Sequence, residues 1–127
     1  VIRKMIKDLD LRVYLEAVPT RRDKEGLAIS SRNVNLTVEQ RNAARVIYQA
    51  LSKAKTLCQS GVVKGCLLKA VVKEILHSES LISSVDYVSV ADPVTLEELD
   101  KVDNSAMVST AVYIGGIRLI DNVIIGL

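Results

Sequence analysis

The sequence predicts an α+β domain, two helices on a three-stranded antiparallel sheet, preceded by the tail of an α/β unit. Three observations predict it. Thr37 is followed three residues on by Gln40, and then by apolar residues every three or four positions; that is a helix-start box opening an amphipathic helix. Two β-rich runs flank Gly115-Gly116, a dipeptide suited to a primed two-residue hairpin turn. Finally, the stripe Ile2, Met5, Ile6 and Leu9 runs into the alternating stretch LRVYLEAV, and helix followed by strand is half of an α/β unit.

Taken in order, the first helix has no start signal, and residue 1 is Val. An uncapped start predicts that residues 1–36 are the tail of a domain whose body lies elsewhere. The strand that follows is expected to end near Val18, before Pro19. A polar stretch from Pro19 to Asn33 separates it from the capped helix, whose apolar face is Ala43, Ile47, Leu51, Ala54 and Cys58. Gly61 is placed to end that helix. A second helix is expected from about Val63 to His77, with Leu68, Val71, Ile75 and Leu76 inward. VDYVSV reads as a strand, with Asp92-Pro93 as its turn, and the hairpin closes the chain. The expected domains are 1–36 and 37–127.

The chain has 127 residues, with four Tyr, no Trp and no Phe, so its core must be aliphatic. A net charge of +2 is too small to imply nucleic-acid binding. Charge is uneven, however: residues 1–33 hold eight basic side chains against five acidic ones. Cys58 and Cys66 fall in predicted helix without a CxxC spacing, which fits reduced, buried thiols and gives no zinc or redox motif. No signal peptide or membrane-length apolar run is present. A cytoplasmic protein with no membrane partner is the expectation.

His77 is the single histidine and sits where a helix end would use it as a cap, so a histidine-based triad has no support. Glu97, Glu98, Asp100 and Asp103 read as a solvated acidic run, and no metal ligands are assigned. Asp121 and Asn122, set among apolar residues, read as a buried or edge-bonding polar pair. The segment EGLAISSRN, Glu25–Asn33, is different. It packs small hydroxyls beside Arg22 and Arg32; Ser30 and Ser31 can supply backbone N–H groups and hydroxyls, and Arg32 a planar fork of donors. The residues alone leave two readings open, a phosphate site or a capped loop.

The order of residues in VPTRRDKEGLAISSRNVNLTVEQR, Val18–Arg41, closely resembles the signature of the pantothenate synthetase (pantoate–β-alanine ligase) family. VDYVSVADPVTLEEL and RLIDN resemble that family's C-terminal domain. The resemblance implies a Rossmann-like nucleotide-binding domain ending in this chain, followed by a small C-terminal lid. It implies ATP and Mg²⁺, with pantoate adenylated and β-alanine attacking the adenylate to give pantothenate, AMP and pyrophosphate. By the match, Ser30, Ser31 and Arg32 bind ATP phosphates, with Ser31 and Arg32 assisting catalysis. Ile29 lies along the nucleotide, and the Arg21 backbone contacts adenine. The whole enzyme is expected to be a homodimer acting on small molecules. The resemblance places the HIGH-like motif and the pantoate pocket outside these 127 residues, so this stretch alone is expected to be inactive.

The chain departs from the family pattern in places. Arg21 replaces a small apolar residue, Asp23 and Glu25 exchange acid lengths, and Asn35 stands where Tyr is common. The competing readings are a non-catalytic regulatory or interaction module that has inherited the loop, and a nucleic-acid-binding lid. The latter lacks a basic, aromatic-bearing face.

Overall fold

A computed structural model describes residues 1–126. Its elements are α1 (Ile2–Asp8), a 3₁₀ turn (Ser31–Asn35), α2 (Val38–Ala44), α3 (Val46–Gln59), α4 (Gly65–His77), β1 (Ile82–Ala91), β2 (Ser105–Ile114) and β3 (Ile117–Gly126). The strands form one antiparallel sheet in the order β1-β2-β3. Helix α3 packs on β3, α4 on β1, and the two helices on each other. This is the expected pair of helices on a three-stranded sheet.

The local signals account for most element boundaries. The Thr37 Oγ1 accepts from the Gln40 N–H at 3.2 Å, and the Gln40 Oε1 accepts from the Thr37 N–H at 3.0 Å, so the capping box is formed. At the other end of α3, the Gly61 N–H reaches the Cys58 carbonyl at 2.9 Å and the Val62 N–H reaches Leu57 at 3.0 Å. These two bonds satisfy carbonyls that the helix end leaves open. Gly115 and Gly116 take φ +56° and +78°, the left-handed pair that a twisted two-residue hairpin turn demands.

Alternate residues of β2 and β3 face the helices. Val108 pairs with Val123 and Val112 with Leu119. With Ile47, Leu51, Leu68, Val72, Leu76, Ile114 and Ile125 they build one aliphatic core, which Leu27 and Leu36 join. Thr110 is buried at its centre and donates its hydroxyl proton to the Tyr87 carbonyl at 2.8 Å.

Four expectations are corrected. Residues 11–18 form no strand. A strand needs a neighbour to take its backbone groups, and none of the described residues pairs with this stretch; Val13, Tyr14 and Val18 are exposed. The single long helix is two, α2 and α3, jointed at Arg45. The inner face of α4 runs through Val72 rather than Val71, which keeps a spacing of four with Leu68 and Leu76. Cys58 is buried as expected, but Cys66 is exposed.

Candidate functional site

The polar stretch before α2 folds as a small hairpin followed by the 3₁₀ turn. Arg22 faces Ala28 across the hairpin. Its rungs are the Asp23 N–H to the Leu27 carbonyl and the Ile29 N–H to the Arg21 carbonyl, each 2.9 Å. Asp23 Oδ1 accepts from the N–H groups of Glu25 and Leu27, both at 2.9 Å, a local turn that aspartate favours. Gly26 has φ +96°, and a Cβ there would stand 2.3 Å from the Tyr48 ring. Only glycine lets the turn lie against α3 this closely.

Beyond the hairpin, Ser30 caps the 3₁₀ turn. Its Oγ accepts from the Arg32 N–H at 3.2 Å and its carbonyl from the Asn33 N–H at 3.1 Å. The Asn33 amide group donates to the Ala28 carbonyl at 2.9 Å, and the Asn33 carbonyl accepts from Arg41 at 2.9 Å. Arg45, at the α2–α3 joint, pairs with Glu25. The loop is therefore wired from both ends.

Two arginines of the loop have opposite fates. Arg22 is committed: its fork donates to Asp121 at 2.5 Å and 3.0 Å, its Nη1 also to the Gly26 carbonyl at 3.1 Å, and it lies 4.0 Å from the Tyr48 ring centroid. The Asp121 hydrogen bond pushes the guanidinium above its ordinary range, against the opposing effect of partial burial. Asp121 is buried, as its apolar neighbours imply, and its Oδ1 also accepts from the Asn122 N–H at 2.8 Å. Arg22 is thus a structural partner and not part of an anion-binding cluster. Arg32, by contrast, is exposed and has no carboxylate partner among the described residues.

A cleft of about 230 Å³ lies beside this loop. The loop lines it with Ile29, Ser30, Arg32 and Asn33, α3 with Tyr48, and β3 with Arg118, Leu119, Ile120 and Asp121. Of the residues singled out by sequence, Ile29, Ser30 and Arg32 come together here. Ser31 and Arg21 are exposed and do not line it. The Arg21 carbonyl is already engaged by Ile29, which leaves its second lone pair and the Arg21 N–H for a ligand.

Sequence reasoning assigned no role to Asn33, Tyr48 or Arg118. Asn33 Oδ1 is buried without a hydrogen-bond partner among the described residues, a state that invites a donor. Arg118 is held by Asp86 at 3.0 Å and 2.8 Å, which raises its pKa. Among the described residues no three His, Cys, Asp or Glu side chains gather as a metal site.

The architecture is that of an α+β domain holding a hydrogen-bonded loop, with hydroxyl and guanidinium donors, at a cleft. The chain belongs to the pantoate–β-alanine ligase family, whose model matches residues 1–124. It is 48% identical over 123 residues to the pantothenate synthetase of Chloroflexus aggregans, covering 96% of this chain and 44% of that protein. It is 40% identical over 125 residues to that of Carboxydothermus hydrogenoformans, covering 98% and 44%. The chain therefore spans less than half the length of these relatives. The pantothenate synthetase structure from Thermus thermophilus superposes with a TM-score of 0.90 at 34% identity, covering 97% of this chain and 44% of that one. A Francisella tularensis pantoate–β-alanine ligase, solved with β-γ ATP and β-alanine, matches with a TM-score of 0.57 at 27% identity, over 96% and 37%.

Proposed function

We propose that this chain is the C-terminal part of an ATP-dependent ligase that joins pantoate to β-alanine. In that reaction the pantoate carboxylate attacks the α-phosphorus of ATP, and the bond to pyrophosphate breaks. The β-alanine amine then attacks the acyl carbon of pantoyl adenylate and AMP leaves. Residues 1–36 carry the end of the Rossmann-like nucleotide-binding domain and its phosphate loop, seated against the lid core through Leu27 and Leu36. Residues 37–127 are the lid. The whole enzyme is a cytoplasmic homodimer that binds neither nucleic acid nor membrane, and these 127 residues alone do not make pantothenate.

The observation that carries this reading is the contrast between the two arginines. Arg22 is neutralised by Asp121, whereas Arg32 stands at the cleft with no ion-pair partner among the described residues, on a loop held by the Ser30 cap. An uncompensated fork on a rigid loop suits charge that grows on a departing pyrophosphate, because it stabilises that charge without reorganising. Ser30 and Ser31 add hydroxyl donors, Ile29 an apolar edge for the nucleotide, and the Arg21 backbone a contact for adenine. ATP use is supported by the family and by the nucleotide in the Francisella structure. Mg²⁺, where it binds, adds charge neutralisation at the phosphates, and no step assigned to this chain depends on it.

The test is single-turnover formation of pantoyl adenylate by the full-length enzyme. Arg32→Ala is expected to lower the rate on the order of 10²–10³-fold, with a smaller effect on the KM for ATP. Arg32→Lys should restore part of the loss, since a point charge cannot replace a planar fork. Ser31→Ala should cost less, because the backbone N–H stays. An Arg32→Ala enzyme that adenylates at the wild-type rate would return the loop to a structural connector.

A further inference from the structure

Arg22 makes more contacts than holding a surface hairpin requires. Leu27 and Leu36 already seat the loop in the core, while Ile29 and Val34 stay exposed. Arg22 adds orientation. Its two nitrogens meet the two oxygens of Asp121, which fixes rotation within the guanidinium plane. The Tyr48 ring fixes the tilt of that plane. The bond to the Gly26 carbonyl ties the turn to the same group.

The anchor on the other side is firm as well. Asp121 sits in β3 opposite Thr110 of β2. Its Oδ1 is further held by the Asn122 N–H, and its side chain is only 6% exposed. A continuous set of bonds thus runs from the sheet through Asp121 to Arg22, across the hairpin rungs to Ile29, and on to the Ser30 cap beneath Arg32.

We propose that Arg22 is a positioning residue for the phosphate loop, setting through Asp121 and Tyr48 where Arg32 stands. The inference rests on the ligase reading above. It assigns Arg22 no contact with substrate. Its effect is geometric, and a displacement of about 1 Å at a group that stabilises a transition state can cost on the order of 10²-fold in rate.

The test uses the full-length enzyme with Arg22→Lys and, separately, Asp121→Asn. Each keeps the size of the side chain and removes the paired fork. Single-turnover adenylation should slow roughly 10–100-fold while the KM for ATP shifts by less than about threefold. Combining the two changes should do little more harm than the worse one, since both break the same link. Amide exchange should quicken at Leu27, Ile29 and Arg32 and stay unchanged at Ile47, Leu51 and Val112. Wild-type adenylation rates in both variants would overturn the inference and leave the ligase reading standing. Exchange quickened equally across α3 and β2 in both variants would also overturn it, because the pair would then hold the fold rather than the loop. A wild-type enzyme that forms no pantoyl adenylate would overturn the ligase reading, and this inference with it.

Discussion

Arg22 and Arg32 carry the same group to opposite ends. One is neutralised by a buried aspartate from the far end of the chain, and the other is left at a cleft. The difference lies in long-range partners and not in the local sequence, so residue-by-residue reading grouped them together. The two cysteines separate for a simpler reason. Cys58 lies on the apolar face of α3, and burial pushes its thiol pKa up. Cys66 stands two residues before Leu68 on α4, about 200° round the helix from the buried stripe, and so faces solvent. In the native chain, iodoacetamide should modify Cys66 within the time an exposed thiol needs, and Cys58 only after denaturant is added. Mass-spectrometric mapping of the label checks this. Equal labelling of both thiols would mean that α3 does not pack as described.

At the scale of elements, Glu98 links α4 to β1. Its carboxylate accepts from Lys69 at 2.9 Å and from the Ser89 hydroxyl. Partial burial pushes its pKa up, but the hydrogen bonds from Ser89 and Lys69 outweigh that and hold it below the ordinary value of 4.5. The unfolded chain therefore binds this proton more readily than the folded one. The contribution is complete above the ordinary value and is lost as pH falls through the lower folded value. Because the carboxylate is half exposed, the effect should stay below about 1 kcal/mol. Urea melts between roughly pH 6 and roughly pH 3 should show the gap between wild type and Glu98→Gln closing toward acid. A gap that widens in acid would reverse the assignment.

The elements legible in the sequence are those whose causes are local. The Thr37–Gln40 box, the end at Gly61 and the Gly115-Gly116 turn are each set by a few adjacent residues, and each forms as expected. The stretch 11–18 has strand composition, yet a strand also needs a partner, which composition cannot supply. The joint at Arg45 falls in sequence that keeps its helical periodicity, so it was not visible. The motif singles out Ile29, Ser30 and Arg32, and all three line the cleft; that Ser30 also caps the 3₁₀ turn was not read from it. The other cleft residues Tyr48 and Arg118 come from α3 and β3 and have no signal near the loop. Asp121 was readable as buried from its neighbours, but its partner lies about a hundred residues away, beyond the reach of any local pattern.

For the molecule as a whole, the core and the surface divide near residue 20. Helix α1 buries none of its side chains, and nothing from Leu9 to Thr20 is buried. Every residue of the core cluster lies at Leu27 or later. Because stability follows buried apolar contacts, the chain should unfold in two tiers. Amides at Ile47, Leu51, Val88 and Val112 should exchange slowly and together, at the rate of global opening. Those from Leu9 to Thr20 should exchange nearly as fast as in a peptide, and a protease at low dose should cut there first and leave a folded remainder. The same sample, given pantoate, ATP and β-alanine, should form no pantothenate. Its folded part offers the Ser30–Arg32 donors and one histidine, His77, which ends α4 and lines no part of the cleft. Slow exchange across residues 9–20 would show that this stretch is held by contacts other than those described. Pantothenate formed by the folded 127-residue chain would place the whole chemistry of the ligase in this segment, and would overturn the assignment of the chain as a contributor to a larger site.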